Sequence, residues 1–178
     1  MRIIAGSLGG RIFDSPGTHK THPMSDRVRG AMFNVLGDLG GLTVLDAFAG
    51  SGALGFEAVS HGAKQVTVID SDRLAQKVLE RNIVSLDVSE KVKLIKASAG
   101  AWLSTNPDAM FDVVLCDPPY DNLQPNLLVR LAERTHPGGI CVLSLPPNHT
   151  FELPDDTFDL QTTKSYGDAT LAFYRRIG

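Results

Sequence analysis

Asp46-Ala47-Phe48-Ala49-Gly50-Ser51-Gly52-Ala53-Leu54-Gly55 is the stretch that decides the fold. The apolar run from Thr43 to Phe48 reads as a buried strand, and residues 53–60 read as a helix. Glycines between the two let the backbone turn sharply and approach a ligand with no Cβ in the way. Gly50, Gly52 and Gly55 satisfy the G-x-G-x-x-G spacing, which dinucleotide sites share with tight turns that hold no ligand. Asp46 shifts that balance. A pyrophosphate at the helix N-terminus would be repelled by a carboxylate four residues ahead of the first glycine. A cofactor with a cationic amino-acid end and no phosphate would welcome it, and S-adenosylmethionine is such a molecule.

Outward from this loop, short apolar runs alternate with amphipathic ones. Residues 65–70 are rich in β-branched side chains and read as a second strand. Leu74, Val78, Leu79 and Ile83 recur at helical steps. Residues 91–97 read as a strand near a sheet edge, 111–117 as a fourth strand, 123–134 as a helix and 139–145 as a fifth strand. Strands separated by helices predict βαβ units, hence an α/β protein whose parallel sheet carries helices on both faces. The tail differs. Residues 158–165 and 170–175 are joined only by Tyr166-Gly167-Asp168-Ala169, which predicts an antiparallel hairpin at one edge and a mixed sheet.

Residues 1–37 read as an N-terminal extension and 38–178 as the main domain. In the extension, Ile3-Ile4-Ala5 and Arg11-Ile12-Phe13 flank a glycine-rich turn, predicting a small β-hairpin. Ser25 or Asp26 then caps a helix carrying Val28, Met32, Phe33 and Leu36 on one face. The 178 residues, 43% hydrophobic and 21% charged, suit one ordinary globular domain. No apolar run approaches the length of a membrane span, and Gly6 interrupts the start before a signal-peptide core can develop. Cys116 and Cys141 each sit inside an apolar run, as small buried side chains do in a reducing cytosol. His19 and His22 are the one close histidine pair, with no Cys or carboxylate cluster beside it, so no metal site is expected. The net charge of −3 is unevenly spread. Arg2, Arg11, Lys20, Arg27 and Arg29 outnumber Asp14 and Asp26 in residues 1–36, while the rest of the chain is acidic. A basic arm on an acidic body keeps a phosphate-bearing partner in view.

Two further constellations carry chemistry. Asp70 closes the second strand, where a carboxylate can accept both ribose hydroxyls of a nucleoside lying across the strand ends. Asp72 is better placed to cap the helix that follows. Ser98 occupies the next loop along the same edge, where it bonds an adenine amine or caps a short helix. Asp117-Pro118-Pro119-Tyr120, directly after the fourth strand, is the sharpest signal. Adjacent prolines fix two φ angles and supply no N–H, so the loop is stiff and its carbonyls are free to accept. The carboxylate and the Pro118 carbonyl can grip a planar amine while Tyr120 offers a face for base stacking. Such a grip would aim the nitrogen lone pair at an electrophilic methyl group.

The glycine loop together with the Asp117 to Tyr120 motif resembles a class I S-adenosylmethionine-dependent methyltransferase that modifies amino groups. More narrowly, the chain resembles the RsmD family, which methylates N2 of a guanine in 16S ribosomal RNA. The resemblance rests on Met1-Arg2-Ile3-Ile4-Ala5-Gly6 with Gly10-Arg11, on Pro23 and residues 25–29 through Phe33-Asn34, on residues 45–55, on the Asp117 motif and on Tyr166-Gly167-Asp168. It implies a Rossmann-like fold with a seven-stranded mixed sheet. It further implies cofactor contacts at Asp46, Phe48, Gly50, Gly52, Asp70 and Ser98, with Arg27 pairing the cofactor carboxylate or a nearby Asp. Asp117, Pro118, Pro119 and Tyr120 would hold the target base as the catalytic corner. Arg2, Arg11, Arg27 and Arg29 would contact RNA phosphates. Ser98 stands where many relatives carry Asp or Asn, and His22 where an Arg is usual. The implied partner is ribosomal RNA or a small-subunit assembly particle, met in the cytoplasm by a monomer. Three other classes remain open: a methyltransferase for DNA adenine or protein glutamine, a dinucleotide oxidoreductase, and a non-catalytic RNA-binding assembly factor.

Overall fold

Hydrogen bonding between Ser25 Oγ and the Val28 N–H, at 3.2 Å, starts the first helix, α1 (Asp26–Leu36), in a computed structural model that describes residues 1–17 and 23–178. The readings that involve His19, Lys20 and His22 lie outside the described residues. Strand β1 (Thr43–Asp46) follows, then α2 (Ala53–Ser60), β2 (Gln65–Asp70), α3 (Arg73–Ser85) and β3 (Val92–Lys96). The second half contributes α4 (Ala99–Thr105), β4 (Phe111–Cys116), α5 (Pro125–Ala132), β5 (Thr135–Leu145), β6 (Phe158–Ser165) and β7 (Thr170–Arg176). The seven strands form one sheet in the order β3-β2-β1-β4-β5-β7-β6. The first five run parallel, and β7 pairs antiparallel with both β5 and β6. A connection as short as residues 166–169 permits no other direction for β7.

Central parallel strands lie between two layers of helix and so need apolar residues on both faces. Val113, Val114, Leu115 and Cys116 are all buried for that reason. Val44, Val66, Val68, Val113 and Leu115 share one core with Phe33, Phe56 and Leu79 of α1, α2 and α3. Leu45, Ile69, Val114, Cys116 and Leu143 share the other with Trp102, Leu103, Leu128 and Leu131 of α4 and α5. The chain winds outward from β1 to β3, then returns to β4 on the opposite side of β1. This reversal leaves a crevice beyond the carboxyl ends of β1 and β4, where open α/β sheets bind ligands.

The extension is part of the same core. Its hairpin is minimal, a single antiparallel bridge between Arg2 and Ile12 with the Ile3 N–H donating to the Arg11 carbonyl at 3.0 Å. Ile3 and Phe13 are buried, and Phe13 sets its ring edge-on to Phe56 with centroids 5.4 Å apart. Gly6, at φ +83°, presses against the Ser60 carbonyl so closely that no side chain fits there.

Several boundaries differ from the sequence reading by a residue or more, and in two of those elements a proline stands at or near the start. β5 begins at Thr135 rather than residue 139, because a register shift opposite Phe111 and Val113 takes up the Pro-Gly-Gly segment. α5 starts at Pro125, since a proline supplies no N–H and sits best at the first helical position.

Candidate functional site

The crevice is a cleft of about 1770 Å³. The glycine loop forms its floor, and Asp70, Ser98 and the Asp117 to Tyr120 corner stand around it. Met24, Ser25 and Val28 close it from the side of the extension. The residues singled out from the sequence on four separate loops thus meet in one place.

The glycine loop is held by two carboxylates. Asp70 accepts from the Gly50 N–H at 2.8 Å through one oxygen and from the Asp72 N–H at 2.8 Å through the other. Asp46 accepts from the Gly55 N–H at 3.1 Å. Gly52 sits at φ +90°, and a Cβ there would come within 2.5 Å of the Phe56 ring, so only glycine allows this turn. A Cβ on Gly50 would meet nothing within 4 Å, which marks the loop's open side toward the cleft.

Asp46 requires a correction. As a contact residue it would line the cleft, yet it is fully buried beneath the loop, because its backbone still pairs in register with Val68 and Leu115. Its Oδ1 has no hydrogen-bond partner among the described residues. Burial, and then the charge of Asp117, push its carboxyl up to about 7. Burial likewise raises Asp70, opposed by the Asp72 and Gly50 N–H groups that favour its charged form. Asp72 caps α3 by accepting from the Ala75 N–H at 2.9 Å, and Ser98 caps α4 by accepting from the Ala101 N–H at 3.1 Å. Ser98 therefore combines its place on the cleft wall with a structural bond.

Asp117 leaves β4 half-buried, followed by buried Pro118 and exposed Pro119 and Tyr120. Burial pushes its carboxyl up to about 6, and a hydrogen bond from Ser144 pulls in the opposite direction. The Ser144 hydroxyl also lies 2.7 Å from the Tyr120 hydroxyl. Burial, reinforced by the charges of Asp117 and Asp168, sends the Tyr120 phenol up to about 12, while the Ser144 bond works against it. Ser144 is a residue the sequence reading missed. Its signal was present: one hydroxyl inside the buried run Cys141-Val142-Leu143-Ser144-Leu145.

The arginines divide sharply. Arg29 does not reach the surface, which corrects its assignment to RNA phosphates. It is fully buried, and its guanidinium donates to the Arg2 carbonyl at 2.7 Å, to Asp26 at 3.0 Å and to Glu57 at 3.4 Å. Glu57, a charge inside the otherwise apolar α2, also accepts from the Ile4 N–H. A buried arginine keeps its charge and must be met by acids and carbonyls, so Arg29 and Glu57 together fasten the extension to the body. Arg11 is exposed but donates to the Ser85 and Leu86 carbonyls at 3.0 Å, closing the end of α3. Arg2 is exposed and lies 3.6 Å from Asp26. Arg27 is exposed outside the cleft wall, with its guanidinium 5.5 Å from the centre of the Tyr166 ring.

These donors and acceptors suit a nucleoside joined to an amino acid. Carboxylate oxygens await hydroxyls at Asp70, a carboxylate oxygen without a partner among the described residues lies under the glycine turn at Asp46, and α2 itself carries no lysine or arginine to favour a pyrophosphate. Among the described residues no group of three or more His, Cys, Asp or Glu could hold a metal ion, and no helix is long and apolar enough to cross a membrane.

The family model described as Conserved hypothetical protein 95 matches residues 1–175. The chain belongs to that family. Its relatives include YlbH of Bacillus subtilis, 30% identical across 100% of both chains. Another is "Ribosomal RNA small subunit methyltransferase D" of Haemophilus influenzae, 36% identical over 75% of this chain and 71% of the relative. Among solved structures, YhhF of Escherichia coli superposes with a TM-score of 0.87 at 28% identity, covering 100% of this chain and 98% of that one. The RsmD resemblance read from the sequence therefore stands, and the mixed seven-stranded sheet is the Rossmann-like class I methyltransferase fold that it implied.

Proposed function

We propose that this protein transfers the methyl group of S-adenosylmethionine to the exocyclic N2 amine of a guanine in 16S ribosomal RNA. The observation that carries the reading is the meeting of two loops in one cleft. A glycine turn underlain by Asp46 and edged by Asp70 faces a rigid acid-proline corner at Asp117. The name of the Haemophilus influenzae relative supports the substrate. Bound in the cleft, S-adenosylmethionine supplies an electrophilic methyl group on a positively charged sulfur.

Each residue then has a task. Asp70 accepts from the ribose hydroxyls, and Asp46 offers a negative charge under the loop to the cofactor's ammonium. Asp117 and the Pro118 carbonyl accept hydrogen bonds from the guanine amine and turn its lone pair toward the methyl carbon, and Asp117 takes the one proton that the nitrogen gives up. Tyr120, held by Ser144, stacks on the base. Extruding a base from a helix costs a few kcal/mol, which favours a guanine displayed in a loop or an assembly intermediate. Exposed Arg2 and Arg27, and the outer face of Arg11, meet the phosphates.

Mass spectrometry of 16S ribosomal RNA from cells lacking the gene tests the reading. One guanine should lose its N2-methyl group and regain it when the gene is restored, but not with Asp117→Ala. Unchanged ribosomal RNA would overturn the substrate. Tritiated methyl transfer to RNA, DNA and protein fractions then separates the amine-modifying alternatives. Binding of NAD in place of S-adenosylhomocysteine would instead favour an oxidoreductase, and RNA binding without turnover an assembly factor.

A further inference from the structure

Tyr166-Gly167-Asp168-Ala169 is a motif to which the chemistry above gives no task. Sheet register settles its position. β5 and β7 pair from Ile140 with Arg175 to Leu145 with Thr170, so the turn that opens β7 lies just past the carboxyl end of β5. Cys116 of β4 sits beside Leu143 of β5, so Asp117 leaves the sheet at nearly the same level as that turn, with β5 between the two. Asp168 and the Asp117 corner consequently line the same cleft.

The turn is well held. The Tyr166 N–H donates to the Ala169 carbonyl at 2.7 Å, Ala169 and Thr170 are buried, and Arg27 covers the Tyr166 ring. The carboxylates of Asp26, Asp46, Asp70 and Asp72 all accept from protein donors. Asp168 is exposed and takes no hydrogen bond or ion pair among the described residues. It stands close enough to Tyr120 for its charge to be felt at that phenol. A partnerless acceptor on a held turn thus lines the same cleft as the residue proposed to stack on the base.

A grip on an exocyclic amine does not by itself distinguish purines, since adenine and guanine both carry one. What differs is the neighbouring ring nitrogen. Guanine N1 carries a hydrogen beside its N2 amine, whereas adenine N1 presents a lone pair beside its N6 amine. A carboxylate facing that nitrogen accepts from the first and repels the second. We propose that Asp168 reads the N1–H of the target guanine and so selects a purine with a donor next to its reactive amine. The inference rests on the reading under Proposed function and names how that site chooses its base.

The test uses the full chain and a 16S ribosomal RNA substrate in which the guanine methylated by the wild-type enzyme has been mapped. At that position 2-aminopurine keeps the amine but presents a lone pair at N1. Wild type should methylate the 2-aminopurine substrate with kcat/KM about 10- to 100-fold below that for guanine, the discrimination one well-aligned hydrogen-bonded pair provides. Asp168→Asn, whose amide can donate to the lone pair, should narrow that gap to about threefold or reverse it. Comparing both enzymes on the same two substrates cancels the missing O6 of 2-aminopurine. A merely structural role would slow both substrates alike, and Asp168→Ser provides a second variant should the amide disturb the turn. Equal rates for the two substrates with wild type, or an unchanged gap in both variants, overturns the assignment of Asp168 while leaving the methyltransferase reading intact. Failure of wild type to methylate any guanine overturns that reading and this inference together.

Discussion

Two loops leave adjacent strands at the same edge of the sheet, and they are made rigid by opposite means. After β1, the chain turns through glycines whose N–H groups are taken up by Asp46 and Asp70, and Gly52 lies against the Phe56 ring where no side chain fits. After β4, two adjacent prolines supply no N–H donors, and the Tyr120 hydroxyl meets a single serine, Ser144, on β5. The first loop spends its carboxylates on its own backbone and presents an open surface. The second leaves the Asp117 carboxylate without a backbone donor among the described residues. A site that must hold one molecule and aim at another needs both kinds of loop.

The largest effect that could break this division is at Asp117. Asp117→Ala should lower kcat for RNA methylation by about 10²- to 10³-fold, the cost of removing one aimed polar group from an active site. Calorimetric titration with S-adenosylhomocysteine should show affinity within about threefold of wild type, since the glycine loop is untouched. A parallel loss of both would mean that the two loops do not have separate tasks.

Next in size is Gly52→Ala. The left-handed backbone costs about 1–2 kcal/mol for an alanine, and crowding against Phe56 and Leu79 adds about 1–3 kcal/mol. Urea unfolding should therefore show a loss of about 2–5 kcal/mol, together with weaker cofactor binding. Pro119→Ala, at an exposed position in the other loop, should change stability by less than about 1 kcal/mol. Equal losses at the two sites would remove the distinction between rigidity by exclusion and rigidity by a fixed φ.

The contrast also explains what could be read from the chain alone. The strand-helix alternation and both loops were legible because glycine and proline state their backbone requirements locally, and buried parallel strands need unbroken apolar runs. The hairpin of β6 and β7 was legible because a four-residue link leaves one possible direction. Charge was harder. Arg27 and Arg29 are two residues apart in one helix, yet one is exposed and the other fully buried. Arg29 shares the buried face of Met32 and Phe33, and the acid that meets its charge, Glu57, arrives from a helix 28 residues later, a pairing no local pattern announces. Asp46 was misplaced for a similar reason. A loop carboxylate and a carboxylate under a loop look alike until Gly55 closes over it.

A third, smaller effect follows from the buried acid. The Asp46 carboxyl, ordinarily near 3.8, stands at about 7 in the folded protein, chiefly because burial disfavours its charge. Raising a folded-state value gives stability that is complete below about 3.8 and is lost as pH rises through about 7. Wild type should accordingly lose stability between pH 5 and pH 8, and Asp46→Asn should lose less over the same window. Cofactor binding should run the other way. If the ammonium of S-adenosylhomocysteine draws out the charged form, affinity rises about threefold to tenfold from pH 6 to pH 8. In Asp46→Asn that rise should vanish. A rise that survives the substitution would place the titrating group elsewhere, with Asp117, at about 6, the next to test.

The smallest effect probes how the second loop is tied. Tyr120→Phe removes only the hydroxyl that meets Ser144 at 2.7 Å and leaves the ring. A net hydrogen bond of this kind contributes about 0.5–1.5 kcal/mol, so the change in thermal midpoint should be a few degrees at most. The ring is the part proposed to carry the base, and stacking on an aromatic side chain is worth about 1–3 kcal/mol per base. Tyr120→Ala should therefore raise KM for RNA more than tenfold, while Tyr120→Phe should raise it less than threefold and lower kcat modestly as the corner loosens. Ser144 also bears on Asp117, whose carboxyl it pulls down against the effect of burial. Ser144→Ala should then reproduce the kcat loss of Tyr120→Phe and exceed it. If Ser144→Ala leaves kcat unchanged, the corner owes its stiffness to its prolines alone, and the contrast between the two loops becomes sharper still.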